Sequence, residues 1–99
     1  MKLLLKNPPK NITLLIRGLS YHPDRNQKSG TLGFSRRISN NDYPKFHAYF
    51  NKQEDGTIWF NLHLDMKQPS YSGTHAHAGE YEGDMVKEEF ERIISATRL

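Results

Sequence analysis

The feature that most constrains this fold is a strict alternation of apolar and polar residues in two consecutive segments. The apolar positions are Phe46, Ala48, Phe50, Ile58, Phe60, Leu62 and Leu64. A period of two residues gives a β-strand one apolar face. Between the segments, Glu54-Asp55-Gly56 suits a three-residue loop that ends with glycine in the left-handed region. The sequence therefore predicts a β-hairpin.

The predicted turn also sets the register of this hairpin. If Gln53 faces Thr57, every apolar residue of one strand meets an apolar residue of the other, whereas a shift of one residue pairs apolar with polar positions throughout. The predicted pairs on the polar face are Tyr49 with Asn61, His47 with His63, and Lys45 with Asp65.

Helices are predicted on both sides of the strands in sequence. Residues 8–17 read as a helix that Asn7 caps and Gly18 ends, although residues 12–16 also alternate as a strand would. The last helix is predicted to begin at Asp84, with the apolar stripe Val86, Phe90, Ile93 and Ile94. Residues 31–38 read as a third strand, and residues 20–30 and 66–83 as loops.

These elements predict an α+β fold: an N-terminal helix, a three-stranded antiparallel sheet with a central hairpin, and a C-terminal helix packed on the apolar sheet face. The 99 residues contain no cysteine and are 35% hydrophobic, which indicates a single small domain spanning 1–99, without disulfides or a thiolate metal site. No membrane span or signal peptide is recognisable, so we expect a cytoplasmic protein.

Charge divides sharply along the chain. Residues 1–52 contain ten lysines and arginines against two aspartates, whereas residues 53–99 contain four against nine acidic residues. One interpretation is that the two halves pack against each other. The other is a bipolar protein whose basic side faces nucleic acid or an acidic protein surface.

The polar face of the predicted sheet combines basic groups with aromatic rings. Such surfaces bind single-stranded nucleic acid or a protein partner, although Trp59 and Tyr49 can also simply pack together. The candidate partner-binding residues are Arg36, Arg37, Lys45, Tyr49, Trp59 and Asn61. No catalytic residue is predicted, because the sequence has neither a glycine-framed serine nor a Walker-type phosphate loop.

A second group has the composition of a divalent-metal site. Its members are His47, His63, Asp65, His75 and His77. Imidazole and carboxylate ligands suit zinc, iron or manganese, and three of them leave room for a water that the metal activates for hydrolysis. The alternatives are structural histidines and metal-free acid–base groups.

Residues 61–71 (NLHLDMKQPSY) and 75–81 (HAHAGEY) resemble segments of small uncharacterised bacterial proteins. The resemblance covers roughly the last 55 residues. It implies no activity.

The sequence therefore predicts a small non-enzymatic binding module that engages nucleic acid or a protein through its basic and aromatic sheet face, without a cofactor. The alternative is a metal-binding protein or metal-dependent hydrolase that uses the histidine group with zinc or another divalent metal. We expect no membrane partner, and a homodimer through a sheet edge is possible.

Overall fold

The computed structural model describes residues 1–25, 30–66 and 78–98. Its elements, in chain order, are β1 (Lys2–Leu5), α1 (Ile12–Gly18), β2 (His22–Pro23), β3 (Thr31–Arg37), β4 (Lys45–Lys52), β5 (Ile58–Asp65) and α2 (Ala78–Thr97). The strands form one antiparallel sheet in the order β1-β5-β4-β3-β2. The α+β class and the C-terminal helix are confirmed, whereas the three-stranded sheet is wrong because two further strands complete its edges.

The central hairpin has the predicted register throughout. Phe50 pairs with Phe60, and Ala48 pairs with Leu62. The loop closes through a hydrogen bond of 2.8 Å from the amide of Gln53 to the carbonyl of Thr57, and Gly56 has a φ of +90°. A residue with a Cβ is strained at that angle, so the glycine fixes both the turn and the strand pairing.

The core lies between the apolar sheet face and the helices. The Phe50 and Phe60 rings stack with centroids 4.9 Å apart, and Phe90 of α2 stacks on Phe60 at 5.0 Å. Ile12 and Ile16 bring α1 into the same core. The predicted packing of the last helix on the apolar face is therefore confirmed, although α2 begins at Ala78 rather than at Asp84.

Strand β1 is an addition that the sequence pattern does not predict. Three successive leucines show no alternation, and only the pairing with β5 assigns their faces: Leu3 and Leu5 pair with the apolar-face residues Phe60 and Ile58, and Leu4 pairs with Trp59. The helix predicted from residue 8 begins later, at Ile12. Asn11 rather than Asn7 is its N-cap, and its side-chain oxygen accepts from the amide of Leu14 at 3.0 Å.

The stretch after α1 also differs from the prediction. The left-handed residue is Ser20, with a φ of 77°, whereas Gly18 is the last helical residue. The predicted loop then contains β2, whose His22 pairs with Ser35 of β3. This segment is ordered because the Tyr21 side chain, which is only 1% exposed, packs in the protein interior.

Glu89 of α2 is the buried partner of Tyr21. Although it is charged, it is only 5% exposed. Its carboxylate accepts from the Tyr21 hydroxyl at 2.6 Å, from Nε of Arg36 at 3.1 Å, and from Nε of Arg92 at 2.7 Å. Arg92 also donates to the carbonyl of Leu19 at 3.1 Å. One carboxylate thus joins α2 to the end of α1, to the approach to β2 and to β3.

The charges in this group alter the acidity of its members. Burial opposes the ionised form of Glu89, but hydrogen bonds from Arg92, Tyr21 and Arg36 outweigh it and hold the pKa of Glu89 below its ordinary value. Burial, together with the nearby carboxylate, raises the pKa of Tyr21. Tyr21 therefore remains a proton donor, and Glu89 remains an anion.

Replacing Glu89 with glutamine is expected to lower the free energy of unfolding by about 2–3 kcal/mol, because Arg36 and Arg92 lose their counter-charge at a buried position. Both arginines keep some contact with solvent, which limits the loss. Urea unfolding monitored by circular dichroism measures it. The matched control is Glu88→Gln, because Glu88 is exposed and directly precedes Glu89 on the same helix. For this variant we expect the free energy of unfolding to change by less than about 0.5 kcal/mol. Equal losses would contradict the role given to Glu89.

Stability is also expected to depend on acid pH. Because the folded protein binds the Glu89 proton more weakly than the unfolded chain does, the contribution of Glu89 is complete above its ordinary pKa of 4.5 and is lost as the pH falls through the lower folded pKa. The unfolding free energy, measured from neutral pH to about pH 3, should decrease once the pH is below about 4.5. The decline should be shallower in Glu89→Gln, and parallel curves would contradict the prediction.

Candidate functional site

The sheet surface opposite the helices is called here the polar sheet face, and strand pairing arranges it in four rows. In order, the rows are Leu4-Trp59-Asn51-Thr31, Lys2-Asn61-Tyr49-Gly33, His63-His47-Ser35-His22, and Asp65-Lys45-Arg37. Both described helices contribute their apolar residues to the opposite side. The hairpin alternation that builds the core therefore also assembles this face.

His47 is the centre of a polar network on this face. Its Nδ1 and the Tyr49 hydroxyl share a hydrogen bond of 2.7 Å, and its Nε2 lies 3.2 Å from a carboxylate oxygen of Asp65. The second contact lacks the alignment of a hydrogen bond, so Nε2 is buried without a hydrogen-bond partner among the described residues. A His47 ring that accepts at Nδ1 carries its proton on Nε2, towards Asp65.

Tyr49 connects this network to its neighbours. Its ring meets the His63 ring edge to face, with centroids 5.9 Å apart. Burial, followed by the negative charges of Asp24 and Asp65, raises the pKa of Tyr49. The hydroxyl therefore keeps its proton at neutral pH, and its hydrogen bond with Nδ1 of His47 fixes the orientation of the aromatic ring on the face.

Asp24 reaches the polar sheet face from beyond β2. Its carboxylate accepts from the Ser35 hydroxyl at 3.1 Å, and its amide donates to the carbonyl of Gly33 at 2.8 Å. A Cβ on Gly33 would lie 2.8 Å from the other carboxylate oxygen. The absence of a side chain at residue 33 thus lets Asp24 lie beside the Tyr49 ring.

Two lysines contact aromatic rings at separate corners of the face. Nζ of Lys2 lies 6.0 Å from the centroid of the Trp59 ring, and Nζ of Lys45 lies 4.8 Å from that of Tyr43. Trp59 is 41% exposed and Tyr43 is 38% exposed. The sequence analysis did not identify Lys2 or Tyr43, because each depends on a contact that local periodicity does not encode.

The structure brings five of the six predicted partner-binding residues to this face; they are Arg37, Lys45, Tyr49, Trp59 and Asn61. Arg36 lies on the opposite side, because it alternates with Arg37 along β3. Its guanidinium binds Glu89 at 3.1 Å and lies 5.3 Å from the Phe46 ring centroid. Arg37 is exposed and has a distant ion pair of 3.7 Å with Asp42.

Of the predicted metal ligands, the structure places His47, His63 and Asp65 next to one another on β4 and β5. His75 and His77 lie outside the described residues. Within residues 1–25, 30–66 and 78–98, no group of three or more histidine and acidic side chains has an arrangement that could hold a metal ion.

A cavity of about 310 Å³ borders the outer edge of β5. Its lining residues are Met1, Leu62, His63, Leu64, Asp65, Gly83 and Val86. This volume is at the lower end of the range for small-molecule sites. The cavity connects the His63 end of the polar sheet face to the beginning of the packed part of α2.

Comparison with family models, with curated proteins and with solved structures finds no match to this chain. The resemblance to small bacterial proteins therefore stays a prediction. In the part of the chain that the structure describes, no helix is both long and apolar enough to cross a membrane.

The network predicts how Tyr49 responds to its acidic neighbours. Because the negative charges of Asp24 and Asp65 contribute to the raised pKa of Tyr49, Asp24→Asn and Asp65→Asn should each lower it. NMR titration of ¹³C-labelled tyrosines measures the change. Glu54→Gln, a charge removal in the hairpin loop, is the control. A Tyr49 pKa that moves equally in all three variants would contradict the network.

Proposed function

We propose that this protein is a small binding module that engages a macromolecular partner through the polar sheet face. The observation that carries the proposal is the position of Trp59, which β5 holds 41% exposed on the side of the sheet opposite both described helices. Tryptophan is among the commonest anchors of protein interfaces.

The surroundings of Trp59 support the same function. The adjacent row supplies Asn61 and the fixed ring of Tyr49, and the far row of the same face supplies the exposed guanidinium of Arg37. Aromatic and arginine side chains among neutral hydrogen-bonding groups are the usual composition of an interface. Because Tyr49 is already oriented by His47, binding loses less side-chain entropy than it would with a free ring.

A metal-binding protein or metal-dependent hydrolase is the second candidate. The observation that favours it is the 3.2 Å separation between His47 and Asp65, with His63 directly opposite His47. Such a site needs at least one further ligand, for which His75 and His77 are the sequence candidates. Metal analysis of protein purified without a histidine tag separates the two candidates, since a structural or catalytic ion is present in stoichiometric amount.

Parallel selections from a random peptide library and a random oligonucleotide pool test the binding module. We expect at least one selection to yield ligands that lose affinity by roughly 2 kcal/mol with Trp59→Ala or Arg37→Ala. The control is Leu14→Ala, which removes an exposed apolar side chain from α1 and should leave affinity unchanged. No enrichment, or ligands that bind all three variants equally, would contradict the proposal. Isothermal titration calorimetry gives the affinities.

A further inference from the structure

Two lysine–aromatic pairs mark opposite corners of the polar sheet face. Trp59, with Lys2 beside it, pairs with Asn51 of β4, and Lys45, with Tyr43 beside it, lies six residues from Asn51 along that strand. At about 3.3 Å per residue, the two corners are roughly 20 Å apart. Each corner offers an exposed ring for stacking and a cation for a phosphate.

The polar sheet face carries both acidic and basic side chains. Asp65 faces His47 at 3.2 Å, and Asp24 accepts a hydrogen bond from Ser35. Lys2 and Lys45 contact aromatic rings, and the Arg37 side chain is 58% exposed. Three cations on the face can therefore reach an anionic chain, and one of them, Arg37, also has a long, exposed ion pair with Asp42.

The shape and hydrogen-bonding groups of the face restrict the kind of nucleic acid. A sheet surface with exposed aromatic rings suits unpaired bases that lie flat on those rings. Hydrogen-bonding groups lie along the path between the corners, including Asn51, Asn61 and the exposed imidazole of His63. Such groups bind 2′-hydroxyls, which RNA presents at every nucleotide.

We infer that the partner of the polar sheet face is single-stranded RNA, which lies from the Trp59 corner to the Tyr43 corner with bases stacked on these rings and phosphates on Lys2, Lys45 and Arg37. The inference rests on the proposed function and names its partner. A protein that carries aromatic anchors is the competing partner class, and it is an outcome of the test.

Trp59 is the one tryptophan in the chain, so its fluorescence reports stacking in the unmodified protein. Titration with a roughly 12-nucleotide RNA lacking self-complementarity should quench this emission, and anisotropy of the labelled RNA should give the same affinity. Trp59→Ala and Tyr43→Ala should each weaken binding at least about fivefold. Leu14→Ala, on another face, should not. Circular dichroism confirms that each variant is folded.

Salt tests the phosphate contacts. With three cations on the backbone, affinity should fall roughly 20-fold between about 50 and 200 mM salt. Lys45→Gln should reduce the slope of log affinity against log salt by about 0.7, whereas Lys87→Gln, the same charge change on α2, should leave it unchanged.

Each result distinguishes this inference from the proposed function. If RNA does not change Trp59 emission at low salt but selected peptides need Trp59 for binding, RNA is overturned as the partner. The proposed binding module is then still supported. If neither RNA nor selected peptides depend on Trp59, both fail. Equal affinity for DNA of the same sequence overturns the assignment to RNA, and unchanged affinity in Trp59→Ala and Tyr43→Ala overturns the location.

Discussion

The Glu89 carboxylate is the interaction on which the arrangement of this small domain depends. It binds Tyr21, Arg36 and Arg92, and through them it joins elements that are far apart in sequence. A buried charge is costly unless its hydrogen-bonding capacity is met, and here three donors meet it. The consequence reaches the opposite side of the sheet, because Tyr21 positions β2, and β2 leads directly to Asp24 beside Tyr49.

Much of the fold could be predicted from sequence where a local period coincides with a packed face. The predicted pairing of β4 with β5 is correct at every position, because only one register brings their apolar residues together and Gly56 enforces it. Strands β1 and β2 could not be predicted, because leucines without alternation and a two-residue strand carry no periodic signal. Tertiary partners determine both, β5 in the first case and Glu89, through Tyr21, in the second.

The same distinction applies to the candidate site. Pairing of His47 with His63 and of Lys45 with Asp65 followed from the hairpin register, so the centre of the face was predictable. Arg36 lies on the other side of the sheet from Arg37, because adjacent residues of a strand point to opposite faces, and there it binds the buried carboxylate of Glu89. Lys2 and Tyr43 join the face through ring contacts between residues that the alternation does not relate.

The lengths of the strands also affect how copies of the protein meet. The three long strands lie inside the sheet, while the edges are β1, with four residues, and β2, with two residues that include Pro23. A short edge, a lysine and a proline all hinder the addition of another strand. The outer strands β1 and β2 therefore offer another chain few backbone groups for pairing, and they cover Ile58–Asn61 of β5 and the Phe34–Ser35 part of β3 against such an addition.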